Sequence, residues 1–208
     1  LPRSHPAGLG CAQAALEAAR AAQSHIGVAR RLATDAGARE RRDQVLGIAR
    51  SVRGVADAVV AAGELVEVSA AEARAATEER DAVEKAALLH TLGSQEGGPL
   101  PPALRAQVRQ LEEDQKRRAT RAQRDVLDRA MVDLLAFYRD VLVVQLGAGV
   151  DLVNARHEAD VHAVAAESTP VQTIRRMDSI GEARTRLEGN VAPLLAVEAM
   201  VVALRPQG

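Results

Sequence analysis

Between Ala103 and Leu146 the chain carries neither Gly nor Pro. A stretch so rich in Ala, Leu, Arg, Gln and Glu has one low-energy backbone, the α-helix, because these side chains lose little freedom there and each added residue closes a hydrogen bond. Its first half is charged. Its second half is apolar at Val126, Leu127, Ala130, Met131, Leu134, Leu135, Phe137, Val141, Leu142 and Val144. The pattern predicts one long helix, or two with a bend between Arg118 and Thr120, the charged half paired antiparallel with a preceding helix and the apolar half inside a core. Pro102 suits the first helical position, where its missing N–H costs nothing. Gly147-Ala148-Gly149 ends the helix, since Gly adopts the left-handed closing conformation cheaply.

Such a helix needs helical neighbours, and the composition agrees. Phe137 and Tyr138 are adjacent and are the sole aromatic residues, so the core must be built from Ala, Val and Leu. The expected fold class is all-α. A net charge of −1 gives no global reason to expect a nucleic-acid or membrane-surface protein. Cys11 stands alone, which excludes an intramolecular disulfide or a cysteine-based zinc site. No signal peptide or apolar run of membrane-spanning length is present, so a cytoplasmic location is expected. The first Met is Met131, and the chain is expected to be part of a longer product.

Residues 1–11 read as a linker or disordered start. Ala12–Gln23 and Ile26–Ala33 read as two short helices, the second capped by Ser24, with a break at Thr34-Asp35-Ala36-Gly37. From Ala38 to Val68, Val45, Ile48, Val52, Val55, Val59, Ala62 and Val66 recur at alternating steps of three and four, a heptad seam. Ser69 with Glu72 forms a capping-box pattern opening a further segment to Leu92, with Ala73, Ala76, Val83 and Ala87 on its seam. Residues 93–101 form the clearest loop. Val150–Asn154 is a turn or short extended piece, and His157–Ala166 is helical. Thr169-Pro170-Val171-Gln172 is a strong helix start, with Ile174, Met177, Ile180, Ala183 and Leu187 on one face. Asn190 then reads as the cap of a last helix with Pro193 in its first turn. That helix is apolar almost all round, through Leu194, Leu195, Val197, Met200, Val201, Val202 and Leu204, and must be surrounded. Glu198 alone interrupts it, with Arg139 or Arg186 as its expected partner.

No motif indicates a catalytic site. Lys116, Arg117 and Arg118 could grip phosphates, but Glu112, Glu113 and Asp114 stand four residues before them in the favourable order for pairing. His157, Glu158, Asp160 and His162 do not converge on one helix face, so no metal site is expected. No Gly-rich phosphate loop is present.

Three segments resemble the C-terminal part of bacterial DNA polymerase III clamp-loader subunits. Asn190-Val191-Ala192-Pro193-Leu194-Leu195-Ala196-Val197-Glu198-Ala199-Met200 resembles the signature that closes them, with Ala192 where that family prefers Asn. Phe137-Tyr138-Arg139-Asp140-Val141-Leu142 resembles their tryptophan-arginine-aspartate helix. Gly27-Val28-Ala29-Arg30-Arg31-Leu32-Ala33 resembles the sensor-2 segment of the AAA+ lid. The composition and the long charged helix look most like the delta-prime type, ahead of gamma/tau. The resemblance implies a helical lid over 12–68 and a collar over 120–205, with the helical hairpin expected over 69–119 as an extension between them. It implies partnership with gamma/tau and delta subunits in a hetero-pentamer that places the sliding clamp on primer-template DNA. No cofactor is expected on this part, ATP being bound by the full loader. Arg30 falls at the nucleotide-facing position. Phe137, Arg139, Asp140, Asn190, Pro193, Leu194, Leu195, Glu198 and Met200 fall in the collar core or interface, and Lys116, Arg117 and Arg118 are the candidate DNA contacts. The alternative reading is a helical coiled-coil scaffold, or a nucleic-acid-associated protein, unrelated to clamp loading.

Overall fold

A computed structural model describes residues 15–22, 25–91 and 102–206, and the regular structure in them is entirely helical. Residues 15–21 are helical. They are followed by α1 (Ile26–Thr34), α2 (Ala36–Ser51), α3 (Val55–Thr91), α4 (Pro102–Gln145), a single 3-10 turn (Ala155–His157), α5 (Glu158–Ala166), α6 (Pro170–Glu188) and α7 (Pro193–Leu204). The expected linker 1–11, the Ser24 cap and the loop 93–101 lie outside the described residues.

Local chemistry accounts for most boundaries. His25 Nδ1 accepts from the Val28 N–H and Asp35 Oδ1 from the Ala38 N–H, so each opens a helix. Asp35 sits below the ordinary carboxyl range, chiefly through that bond to Ala38. Thr169 and Gln172 form the expected capping box around Pro170. α4 is one uninterrupted helix with no break at Arg118–Thr120. It closes as expected at Gly147, whose φ is +63°, with Ala148 N–H bonded to Val143 O and Gly147 N–H to Val144 O.

Three expectations fail at the local level. The seam expected to run unbroken from Val45 is interrupted at Val52–Gly54, where the Arg53 and Gly54 N–H groups both bond Asp57 Oδ2. The restarted helix turns Val55 and Val59 outward, 53% and 46% exposed; it buries Ala62 and Ala73 as expected, and with them Ala58, Leu65 and Ser69, which neither seam included. No new helix begins at Ser69: it is buried, and its hydroxyl donates to Leu65 O within a continuous α3. Ala76, Val83 and Ala87 of the expected second seam are exposed. On α6 the inward face is Thr173, Arg176, Ile180, Ala183 and Leu187, while Ile174 is exposed.

The chain divides into two compact units. One joins the described residues up to Gly63 with those from Arg129 onward, so most of the stretches expected as separate lid and collar (12–68 and 120–205) share a single unit. Its core contains Met131, Leu134, Phe137, Tyr138, Val141, Val161, Ile180, Val197, Met200 and Val201, all essentially inaccessible. The other unit, Glu64–Asp128, is an antiparallel pair of helical arms. Gln123 Nε2 donates to Val66 O, Gln115 Nε2 to Asp81 O, and Lys85 pairs with Glu112 at 2.8 Å, an order that runs oppositely along the two arms.

Candidate functional site

The second half of α4 carries Asp133 and Asp140 seven residues apart, hence on one helix face. Asp140 is fully buried. Its Oδ1 accepts from Arg139 Nη1 at 2.7 Å and from the Val153 N–H at 3.1 Å. Its Oδ2 accepts from the Asn154 N–H at 2.7 Å and from Asn154 Nδ2 at 2.9 Å. One carboxylate therefore pins Val153 and Asn154 in the connection between α4 and α5. Arg139 adds a bond to Asp151 O at 3.0 Å. Asn154 Oδ1 in turn accepts from Arg42 Nη2 at 2.6 Å, and Arg42 Nε donates to Asp133 at 2.8 Å. Burial pushes the Asp133 carboxyl above its usual range, against the opposing pull of Arg42 and Arg129. Arg139 and Asp140, expected in the collar core or interface, hold the fold internally. Arg42, Asp133 and Asn154 were not singled out from sequence. The available signal was a pair of acids at heptad spacing on an apolar helix face, which need partners when buried.

Phe137 and Tyr138 lie in the core with ring centroids 5.7 Å apart and planes at 88°. The Arg176 guanidinium lies 5.8 Å from the Tyr138 ring centroid, and Arg176 is only 4% exposed. Its Nη2 reaches Arg205 O, at the end of α7, at 3.4 Å. Tyr138 Oη and Arg176 Nε have no hydrogen-bond partner. Burial raises the Tyr138 hydroxyl to about 12, with Arg176 opposing.

α7 does not bury its whole circumference. Ala196, Val197, Met200, Val201 and Leu204 face inward. Leu194 and Leu195, expected in the collar core or interface, are 42% and 61% exposed. Pro193 is its first residue, but Asn190 is not its cap: the residue before Pro193 is Ala192, and it makes no side-chain capping bond. Asn190 instead closes α6. Its φ is +64°, its N–H bonds Leu187 O, and the Val191 N–H bonds Arg186 O. Glu198 meets neither expected arginine: Arg186 bonds Glu182 and Arg139 bonds Asp140.

The remaining candidates lie elsewhere. Arg30 is exposed on α1. Arg118 crosses the hairpin to Asp81, at 2.9 Å, and to Glu84, rather than pairing with Asp114. These bonds raise Arg118 above its ordinary range, and the bonds from Arg118 and Arg80 hold Glu84 below its own. Arg117 stands 3.6 Å from Glu113 and 3.5 Å from Asp114, and Lys116 is exposed. Of the three candidate DNA contacts, two are thus engaged with acids of the same unit. Among the described residues no group of three or more His, Cys, Asp or Glu is placed to hold a metal ion, and no helix is long and apolar enough to cross a membrane. Comparisons of the chain with protein-family models, with curated proteins and with solved structures find no match.

Proposed function

We propose that the chain is a non-catalytic assembly portion of a bacterial clamp-loader subunit of the delta-prime type, acting in the loading of the sliding clamp onto primed DNA. The observation that carries this reading is the last helix. Leu194 and Leu195 stand exposed on a helix whose opposite face is already buried in the core. A helix with apolar residues on both faces is suited to join a second helical surface. This helix also holds the segment most similar to the signature that closes these subunits. The buried Asp140, paired with the half-exposed Arg139, supports the reading indirectly, by holding Val153 and Asn154 of the α4–α5 connection in place. Arg30, exposed on α1, is accessible to a nucleotide held by another module, while the chain itself holds none in this reading. The partners are gamma/tau and delta subunits.

The test is direct mixing. The chain is combined with purified gamma/tau and delta subunits of the source organism and passed over a size-exclusion column. A complex that forms with the parent chain and is lost with Leu195→Asp supports the proposal. Failure of the parent chain to co-elute with either subunit rejects it.

A further inference from the structure

The N-terminal helices meet the rest of their unit through a row of ion pairs. Glu17 pairs with Arg156, Arg20 with Asp151 at 2.7 Å, Arg42 with Asp133 at 2.8 Å, Asp43 with His157 at 2.9 Å, Arg50 with Asp160, and Arg53 with Glu167. From Asp43 to Arg53 the partners follow in sequence order, 157, 160 and 167, so α2 and the 157–167 segment run side by side in one direction. Most of these pairs have at least one side chain more than a third exposed; Arg42–Asp133 is the shielded exception, at 10% and 15%. The α6–α7 pair differs in kind. Its inward residues are chiefly apolar: Ile180, Ala183 and Leu187 on α6, and Val197, Met200 and Val201 on α7.

Two independent features mark the N-terminal helices as a separable piece. Ala18, Leu32 and Ala38, with Ala21 and Val28 packed on them, form an apolar cluster drawn wholly from residues 18–38. Its contacts with one another lie within the piece and do not require the rest of the unit. The chain beyond α2 is then non-helical at Val52–Gly54 before α3 begins, which places a short joint at the boundary.

We infer that residues 15–22 together with α1 and α2 form a cooperative piece that opens about Val52–Gly54 before the rest of its unit unfolds, and that ionic strength sets how often it opens. The buried apolar side chains Leu46 and Ile48 of α2 keep it seated. The ion pairs tune the equilibrium. Salt shortens the Debye length from about 10 Å at 0.1 M to about 3 Å at 1 M, which weakens exposed pairs and leaves apolar packing in place. Opening of this sort is a sub-global event of the kind that hydrogen exchange resolves. It stands independently of the clamp-loader reading.

Amide hydrogen exchange on the whole chain, at about 0.05 M and about 1 M NaCl, tests it. The amides of α1 and α2 should exchange on the order of tenfold faster in high salt, as expected from several exposed pairs weakened together. Those of α6 and α7 should change by less than about twofold. Arg50→Glu should speed α1–α2 exchange in low salt, and adding Asp160→Arg should restore it. The inference is overturned if α1–α2 exchange ignores salt, if it rises in step with α6 and α7, or if the second substitution fails to rescue the first.

Discussion

Asn154 gives Asp140 both its backbone N–H, at 2.7 Å, and its side-chain amide, at 2.9 Å, so a single buried carboxylate pins Asn154 in the connection between α4 and α5. Replacing it leaves the Val153 and Asn154 N–H groups without their acceptor in a dry site. Asp140→Ala should therefore cost about 3–5 kcal/mol in urea unfolding, the range for breaking a buried charged network. Asp140→Asn keeps one acceptor oxygen and should cost distinctly less. Equal losses for the two variants would mean that volume, rather than hydrogen bonding, holds this connection.

The helical class of this protein was legible in sequence because it rests on local energetics. The run from Ala103 to Leu146 has no breaker, and Thr169-Pro170-Val171-Gln172 satisfies its own N–H groups within four residues. Facing was less legible. The seam through Val45, Val55 and Val59 is periodic, but three non-helical residues at Val52–Gly54 reset its rotation, and 100° per residue turns a buried position into an exposed one. The signal for that break was Asp57, three residues after Gly54, bonding back to two free N–H groups. The polar network was hidden for a different reason. Arg42 lies 91 residues from Asp133 and 112 from Asn154, and nothing local to any of the three announces the others.

Tyr138 is the only tyrosine and the chain has no tryptophan, so its ionisation can be read directly by ultraviolet absorbance. Burial raises its folded value to about 12, above the ordinary 10. The stability tied to the neutral phenol is complete below pH 10 and is lost as pH rises through the folded value. Absorbance at the phenolate band should stay flat through pH 10 and rise together with unfolding. Tyr138→Phe removes a hydroxyl that has no partner, and should leave stability at neutral pH within about 1 kcal/mol of the parent, on the stabilising side. It should also abolish this alkaline loss.

Asp133 behaves in the acid range as Tyr138 does in the alkaline. Its folded pKa is raised by burial, so folding favours its protonated form. That contribution is fully present below the unfolded value of 3.8 and is lost as pH rises through the folded one. Asp133→Asn keeps an oxygen for Arg42 and carries no charge to bury. Its urea midpoint at pH 7 should lie above that of the parent, with the difference vanishing near pH 3. A lower midpoint at pH 7 would show that attraction to Arg42 outweighs the desolvation of the carboxylate.

Gly147 and Asn190 occupy the same left-handed conformation at the ends of α4 and α6, with φ of +63° and +64°. Gly147→Ala places a Cβ where L residues are strained and should cost about 1 kcal/mol, although no neighbouring atom lies within reach of that Cβ. Asn190→Gly relieves the corresponding strain and should be neutral or slightly stabilising. Asn190→Ala should lower the melting temperature. If it did not, the closing role of Asn190 at α6 would be wrong.

Leu195 and Val197 separate assembly from folding on one helix. Val197 is fully buried, so Val197→Asp confines an unpaired charge in the core and should unfold the chain or cost several kcal/mol. Leu195 is 61% exposed, so Leu195→Asp should melt within about 0.5 kcal/mol of the parent, as surface substitutions do. If α7 joins neighbouring subunits, the same variant should be lost from the gamma/tau and delta complex. Circular dichroism melting and size exclusion on the same preparation read the two effects apart. A Leu195→Asp chain that melts normally and still co-elutes would move the assembly surface away from α7.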